Sequence, residues 1–539
     1  MKRRVMAGIL AVVMAGSLLA GCSNTTGQGS SGTQAVSGDD GVFNVGISSD
    51  PSSLDPTQCN DYSSELVANN LYDTLLSFDE KTNKLVPCLA ESWEKVDELT
   101  YVYQIRQGVK FWDGNEMTAE DVVYSLNRHM DPNMASLFGY MFAPVDSIDV
   151  TGDYEVTITL TTPDTSFMYV VATMAGSVAE KSYIEEKGES FGTSTGATMA
   201  TGPYKFESWK EGSQLVFVKN ENYWNTDTSY VSDTLEFDII EDIASMALAM
   251  TSGQIDFINT PSIDVMDQLK ESGIVDVDYE DGLQNSFVMY NCSEGPFADV
   301  NVRKAASTAI DTAAIALSTN GEGYYTEAGA LDVDPAAMGY ETDSWVALNE
   351  ELDSYEYDVE KAKEYLAASD YPDGFTCTMP TCSTSMKESE AIQYYLGQIG
   401  ITVELETVPY NDFILYAYGI NRDDAGYRDY DLLPFAWFPD YADPIALLKL
   451  YYGPNEAIGG SNMAAYMNSD FDALLDESAA QDGTERSETM MEAYRMLNAD
   501  CPAKMISYFG PSYAINNKYT ATMSPMWMWN FDFTKVKEK

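Results

Sequence analysis

Only one stretch of this chain is continuously apolar, and it lies at the N-terminus. Lys2-Arg3-Arg4 precedes an apolar run from Val5 to Ala20, which closes on Leu19-Ala20-Gly21. A basic start, a short apolar run and small residues at its end are the parts of a secretory signal. The run is shorter than the roughly 20 residues a membrane-spanning helix needs. No second long apolar run follows, so the rest of the chain must bury its apolar side chains by folding on itself. Roughly 500 residues are left for that, more than one hydrophobic core accommodates, and two or three lobes are expected.

Cys22 stands directly after the small residues, an arrangement that resembles a bacterial lipobox. There the thiol takes diacylglycerol and cleavage leaves the cysteine as the mature N-terminus. The reading is a lipoprotein signal peptide over 1–21 and lipid attachment at Cys22. The protein is then anchored to the outer face of the bacterial cytoplasmic membrane through its N-terminal lipid and does not span it. An ordinary signal peptide with an incidental cysteine is the plainer alternative. Residues 22–41 are almost all Gly, Ser, Thr and other small polar types, which cannot bury enough apolar surface to fold. Such a segment is a flexible tether reaching roughly 25 Å.

Charge excludes whole classes of partner. With 30 basic against 85 acidic residues the formal net charge is −55, which repels nucleic acid and anionic lipid alike. Attraction of amine-bearing solutes is possible on this surface, but a solvated, solubility-giving face is the simpler reading. Six cysteines remain beyond Cys22: Cys59, Cys88, Cys292, Cys377, Cys382 and Cys501. An exported protein permits disulfides, a chain this large does not need them, and no pair has CxxC spacing, so their pairing stays open.

Catalytic signatures are sparse. Gly192-Thr193-Ser194-Thr195-Gly196 fits the G-x-S-x-G pattern of a nucleophile elbow. That motif needs an apolar strand before it, a helix after it and a later histidine. The charged stretch Lys181–Glu189 precedes it, Gly202-Pro203 soon follows, and the only histidine, His129, lies upstream, so it reads as a loop. One histidine and no clustered CxxC argue against a dedicated zinc site, and no P-loop pattern occurs. No cofactor is expected. Carboxylate pairs carry no information where acidic residues are this abundant.

Strand and helix signals alternate along the chain. Phe43, Val45 and Ile47 alternate with polar or small residues, as do Tyr101, Tyr103 and Ile105, and Val156, Ile158 and Leu160. Thr118-Ala119-Glu120-Asp121 has the form of a capping box, with Val122, Val123 and Leu126 on one face after it. Val302, Ala305, Ala306, Ala309 and Ile310 make a helical stripe. Ala391–Ile399 is amphipathic, ends at Gly400 and runs into the alternating Ile401, Val403 and Leu405, a helix–Gly–strand unit. The class is α/β in several lobes.

Three stretches together carry a specific likeness. The first is Leu85-Val86-Pro87-Cys88-Leu89-Ala90-Glu91-Ser92-Trp93, continuing through Tyr103, Arg106-Gln107-Gly108-Val109-Lys110-Phe111, Asp113-Gly114 and Thr118–Ser125. The second is Thr201-Gly202-Pro203-Tyr204-Lys205-Phe206 with Asn220, Tyr223-Trp224 and Ser252-Gly253-Gln254-Ile255-Asp256. The third is Gly295-Pro296-Phe297-Ala298-Asp299-Val300-Asn301-Val302-Arg303-Lys304-Ala305 with Ala309-Ile310-Asp311. In this order they resemble the oligopeptide- and dipeptide-binding proteins of ABC importers, solute-binding family 5, from about Phe43 to the C-terminus.

The resemblance implies a two-lobed periplasmic-binding-protein fold with an extra β-rich domain inserted in the first lobe. Lobe I is expected from 42–76, 190–283 and 510–539, the insert from 77–189, and lobe II from 284–509. Hinge strands are expected near Leu283–Asn291 and Ser507–Ala514. It also implies a monomeric receptor, not an enzyme, that captures short peptides and passes them to an ABC permease in the membrane. Oligosaccharide, metal-chelate or glutathione-like solutes are the alternatives within the family, and a tethered hydrolase or a signalling receptor outside it.

Trp437-Phe438-Pro439-Asp440 resembles the family's W-x-x-D segment, in which the aspartate of the peptide-binding branch receives the ligand's α-ammonium. The resemblance makes Asp440 that group, with Trp437 as an aromatic wall and Asp50, in the loop Ser49–Pro56, as a further contact. Turn chemistry around Asp440, a core role for Trp437 and a solvated turn at Asp50 are the plain alternatives. Leu432–Trp437 is the segment expected to pair with the ligand's main chain. Some relatives carry an arginine three residues before the tryptophan, able to pair with a peptide's carboxyl end. Pro434 stands there instead, and Arg422 and Arg428 are nearby.

Overall fold

The alternation of Phe43, Val45 and Ile47 becomes a strand, Val42–Ile47, with all three side chains buried. It lies inside a seven-stranded sheet, parallel to both of its neighbours, Thr234–Ile239 and Phe257–Asn259. Gln214–Lys219 and Tyr204–Lys210 extend the sheet on one side, and Ser512–Asn516 and Val275–Tyr279 on the other. The computed structural model describes residues 41–539 apart from 80–81, 260, 280–281, 335–341, 420–429, 442, 457–459 and 523–529. The signal peptide, Cys22 and all of the tether but Gly41 lie outside the described residues, as do Arg422 and Arg428.

A second sheet is antiparallel throughout, in the order Thr326–Glu327, Ala503–Phe509, Gln284–Tyr290, Leu432–Trp437. Every residue of Gln284–Tyr290 is buried. Leu432–Trp437 is an outer strand, which explains how it tolerates Pro434, a residue that cannot donate to a second neighbour. Beside this sheet lies the expected helix–Gly–strand unit. Phe375–Thr381 and Ile401–Thr407 pair in parallel, joined by the helix Met386–Gly397. Gly400 turns the chain between them at φ +89°, a conformation that favours glycine.

The chain passes from the first sheet into the second between Tyr279 and Gln284 and returns between Phe509 and Ser512. Val275–Tyr279 pairs with Ser512–Asn516 in one sheet, and Gln284–Tyr290 pairs with Ala503–Phe509 in the other. The strands that flank the two crossings therefore lie side by side, the covalent arrangement that lets two lobes rotate about a hinge. The molecule has the mixed α/β, two-lobed architecture of periplasmic binding proteins.

Ala90–Lys95, Thr100–Ile105, Glu155–Leu160 and Val145–Gly152 form a separate antiparallel sheet. The helix Ala119–Asn127 that accompanies it opens with the capping box, Thr118 and Asp121 answering each other's backbone. The stripe Val302, Ala305, Ala306, Ala309 and Ile310 is buried, with Ile401 and Val403, in a second core beneath the helix Val300–Ala309. Several family-type residues prove to be fasteners. Arg303 is buried and donates to the carbonyls of Phe297, Ala298 and Asp500. Asp73 accepts from Thr201 Oγ1 (2.7 Å), Tyr223 Oη (2.7 Å) and Trp224 Nε1 (2.9 Å), so the second stretch converges on one carboxylate.

Gly192–Gly196 is a turn-rich loop, and Ser194 Oγ donates to Glu211 rather than facing a histidine. The six cysteines beyond Cys22 are free thiols. Among the described residues no helix is long and apolar enough to cross a membrane, and no group of His, Cys, Asp and Glu is placed to hold a metal ion.

Candidate functional site

A cavity of about 1770 Å³ opens between the end of the second sheet's outer strand and segments from 60–88, 138–174, 223–229 and 530–537, and Asp440 and Trp437 both line it. It exceeds the roughly 300–1,000 Å³ of an ordinary small-molecule pocket. One wall is the end of the outer strand: Phe435, Ala436 and Trp437 line the cavity. On its inner edge that strand pairs with Gln284–Tyr290, Trp437 opposite Asn285 and Ala436 opposite Ser286. Among the described residues no strand pairs with its outer edge; Phe375–Thr381 packs alongside its start, where the Asp431 N–H donates to the Thr378 carbonyl (3.2 Å), and an extended ligand could add at the Phe435–Trp437 end that lines the cavity.

Trp437 is partly buried, 6.4 Å from Phe435 between ring centres, with its indole N–H buried and unpaired among the described residues. Asp440 follows in the loop after the strand. Its Oδ1 accepts a 2.9 Å hydrogen bond from Tyr140 Oη, which comes from the turn Gly139–Phe142 beside the separate four-stranded sheet. Burial pushes the Asp440 carboxyl up to about 6, and the Tyr140 bond and the positive charge of Lys449 pull the other way. Among the described residues no cation forms an ion pair with Asp440. A carboxylate in a cavity wall that has no ion-paired cation of its own is chemically able to accept a charge-assisted hydrogen bond from an amine.

The loop is held on both sides. Tyr441 is buried, stacks on Tyr169 (5.6 Å, 13°) and lies 3.2 Å from Ser166 Oγ through its hydroxyl. Asp443 takes a bidentate pair from Arg486, Nη1 to Oδ2 at 2.6 Å and Nη2 to Oδ1 at 2.9 Å. Lys449 Nζ stands 3.6 Å from Asp164 Oδ2. Tyr140, Ser166, Tyr169 and Asp164 all belong to the stretch around the separate four-stranded sheet, so the Asp440 loop links that stretch to the second sheet.

Asp50 is placed elsewhere. Its carboxylate accepts from Trp209 Nε1 (2.8 Å) and Gly212 N (2.7 Å), fastening the loop after the first strand to the hairpin Tyr204–Lys219. It does not line the cavity, and the structure does not bring it together with Asp440 and Trp437. Sequence reasoning missed Tyr140 and Arg486. Tyr140 sits in Leu137–Met141, where no periodicity or motif marks it, and only the fold brings it to Asp440.

The chain is similar to known proteins over most of its length. The profile of the bacterial extracellular solute-binding proteins, family 5 middle, matches residues 84–458. Heme-binding protein A of Haemophilus influenzae is 28% identical over 466 residues, covering 81% of this chain and 81% of that protein. The probable D,D-dipeptide-binding periplasmic protein DdpA of Escherichia coli is 26% identical over 486 residues, 87% of this chain and 89% of its own. Among solved structures, the periplasmic binding protein DppA of Helicobacter pylori in complex with the peptide STSA superposes with a TM-score of 0.74. It is 26% identical, with 92% of this chain and 98% of that one covered.

Proposed function

The chain belongs to family 5 of the bacterial extracellular solute-binding proteins, which serve ABC importers, and we propose that its solute is a short peptide. The carrying observation is Asp440: a carboxylate without a cationic partner, at the head of an open strand edge, in a cavity large enough for several residues. The ligand's α-ammonium meets Asp440, its main chain runs along the Phe435–Trp437 end of the strand Leu432–Trp437, and Trp437 packs against its first residues. Side chains then project into loose aromatic pockets, which gives a receptor broad in sequence and strict about the free amine. The protein acts as a monomer, held to the membrane by lipid on Cys22, and hands its cargo to the permease without chemical change. The proposed lobes are 42–76 with 190–283 and 510–539, and 284–509, with 77–189 as the insert.

The name of one relative raises a second reading, a heme-type cargo. Heme iron takes an axial His, Cys, Met or Tyr. The only histidine, His129, is buried and stacked on Phe142 (4.9 Å, 2°). Its Nδ1 lies 2.7 Å from Ser136 Oγ, and it does not line the cavity, whereas Cys88, Met141 and Tyr140 do. Native mass spectrometry of the protein purified from its own cells separates the readings. Co-purifying masses that fragment as short peptides are expected; a porphyrin mass with its absorbance band, or a sugar series, would overturn the peptide reading.

A further inference from the structure

Three residues after Asp440 stands a second carboxylate that never reaches the cavity. Asp443 is 2% exposed, and Arg486, which forks onto it, is 4% exposed. Asp443 Oδ1 also accepts from Ile445 N (3.0 Å), and its own N–H donates to the Tyr441 carbonyl (2.8 Å). The carboxylate is thus fixed by a guanidinium and by the helical turn Ile445–Leu448 that follows it. Arg486 sits in the first turn of the long helix Gly483–Asp500. That helix start is itself anchored. Lys95 Nζ, on the outer strand of the separate four-stranded sheet, donates to Asp482 Oδ2 and Thr165 Oγ1, both at 2.9 Å.

We propose that Asp443 and Arg486 are a positioning pair that fixes the chain just after Asp440 so that Asp440 presents its carboxylate to the ligand's ammonium. A buried ion pair adds little net stability, since desolvation offsets most of the attraction and apolar replacements are often as stable. What such a pair does supply is fixed geometry: the planar fork admits one arrangement of carboxylate and guanidinium. The place where that geometry matters is three residues away. Tyr441, between the two carboxylates, is clamped by Tyr169 and Ser166. The chain after Asp440 is therefore pinned at Tyr441 and at Asp443, and among the described residues the hydrogen bond to its own carboxylate comes from Tyr140. Arg486 and Asp443 touch no ligand in this scheme; they act through Asp440.

The inference rests on the reading that Asp440 meets an ammonium, and the test keeps the two apart. The probe is trialanine, free and N-acetylated, titrated by calorimetry into protein unfolded and refolded to strip resident ligand. Wild type, Asp440→Asn, Asp443→Asn and the double variant are compared, each with its melting temperature. Asp443→Asn is expected to weaken free trialanine about tenfold while leaving the acetylated peptide within about twofold. In the Asp440→Asn background it should have no further effect, because the two act as a unit. Equal losses on both peptides, or full additivity in the double variant, overturn the positioning role. Should Asp443→Asn fail to fold, Arg486→Lys keeps the charge but loses the fork, and the same selective loss is required of it. If Asp440→Asn itself weakens both peptides alike, or wild type ignores trialanine, the ammonium reading fails and the positioning role with it.

Discussion

Tyr140 Oη donates a 2.9 Å hydrogen bond to Asp440 Oδ1 across 300 residues of chain. The bond joins the stretch around the separate four-stranded sheet to the loop that follows the outer strand of the second sheet, at the edge of the cavity. Tyr140 is otherwise 60% exposed, so burial of its own ring does not hold it there. It is the one described hydrogen-bond donor on this cavity-lining carboxylate, and two opposed effects meet at that group. Burial favours the neutral acid, and the phenol favours the carboxylate.

Tyr140→Phe removes the second effect and leaves the first. The Asp440 carboxyl should then titrate above its present value of about 6. Affinity for a free-amine peptide should fall several-fold at pH 6 and less at pH 8, where the carboxyl is ionised with or without the phenol. Calorimetry at the two pH values checks this; an equal loss at both would mean that Tyr140 acts by packing alone.

Proton release should accompany binding. The Asp440 carboxyl lies near 6 in the folded protein against an ordinary 3.8, so the native state holds a proton that the unfolded chain gives up between these values. Its ionisation therefore costs stability as pH rises from about 4 to about 6, and an ammonium ligand offsets that cost. Binding near pH 6 should expel up to about half a proton per site, whereas at pH 8, close to the peptide α-amino group's own pKa of about 7.7–8, binding as the ammonium should take up to about half a proton from solution. Titrations in buffers of different ionisation enthalpy read the number directly. No buffer dependence at pH 6 would place the ammonium elsewhere.

The cavity-lining end of Leu432–Trp437 makes a prediction about the ligand rather than the protein. N-methylation of a ligand amide that pairs with this strand should cost roughly two- to tenfold in affinity, the value of one net backbone hydrogen bond. Exchanging the adjacent side chain for another of similar size should cost less. A scan of N-methylated tripeptides finds the pairing positions; insensitivity at every position would rule out strand addition.

Much of this was legible before any coordinates. The strand Val42–Ile47, the helix Val300–Ala309 and the unit around Gly400 follow from periodicity and turn chemistry, because the spacing of the buried residues lies within each element's own sequence, wherever its neighbours come from. Leu432–Trp437 is a strand over the expected residues, and Pro434, a departure from the relatives, suits its outer position. Asp440 and Trp437 came only from likeness to a family segment, since an aspartate in Asp-Tyr-Ala-Asp-Pro reads equally well as a turn. Tyr140 and Arg486 left no trace, because their partners lie 300 and 43 residues away and no spacing encodes such contacts. Asp50 shows the converse. Its loop looked like a ligand contact, yet two donors on the neighbouring hairpin occupy the carboxylate.

The membrane anchor has its own test. Cys22→Ala removes the thiol proposed to take the lipid, and the protein should then be misprocessed or released into the medium. Labelling cells with a radioactive fatty acid and fractionating them checks this. A variant that still takes label and stays with the membrane would overturn the lipobox reading.

The central claim is that Asp440 receives the ligand's ammonium, and a four-way titration tests it most directly. Wild type and Asp440→Asn are each titrated with one peptide carrying a free N-terminus and with the same peptide acetylated, on protein stripped by unfolding and refolding. A charged hydrogen bond in a closing cleft contributes about 1.5–3 kcal/mol, so Asp440→Asn should weaken the free peptide roughly ten- to hundredfold. Acetylation removes the same charge, so it should weaken binding to wild type similarly and scarcely alter binding to the variant. Equal losses for the free and acetylated peptides would contradict the account, leaving Asp440 a structural carboxylate and the peptide assignment without its main support.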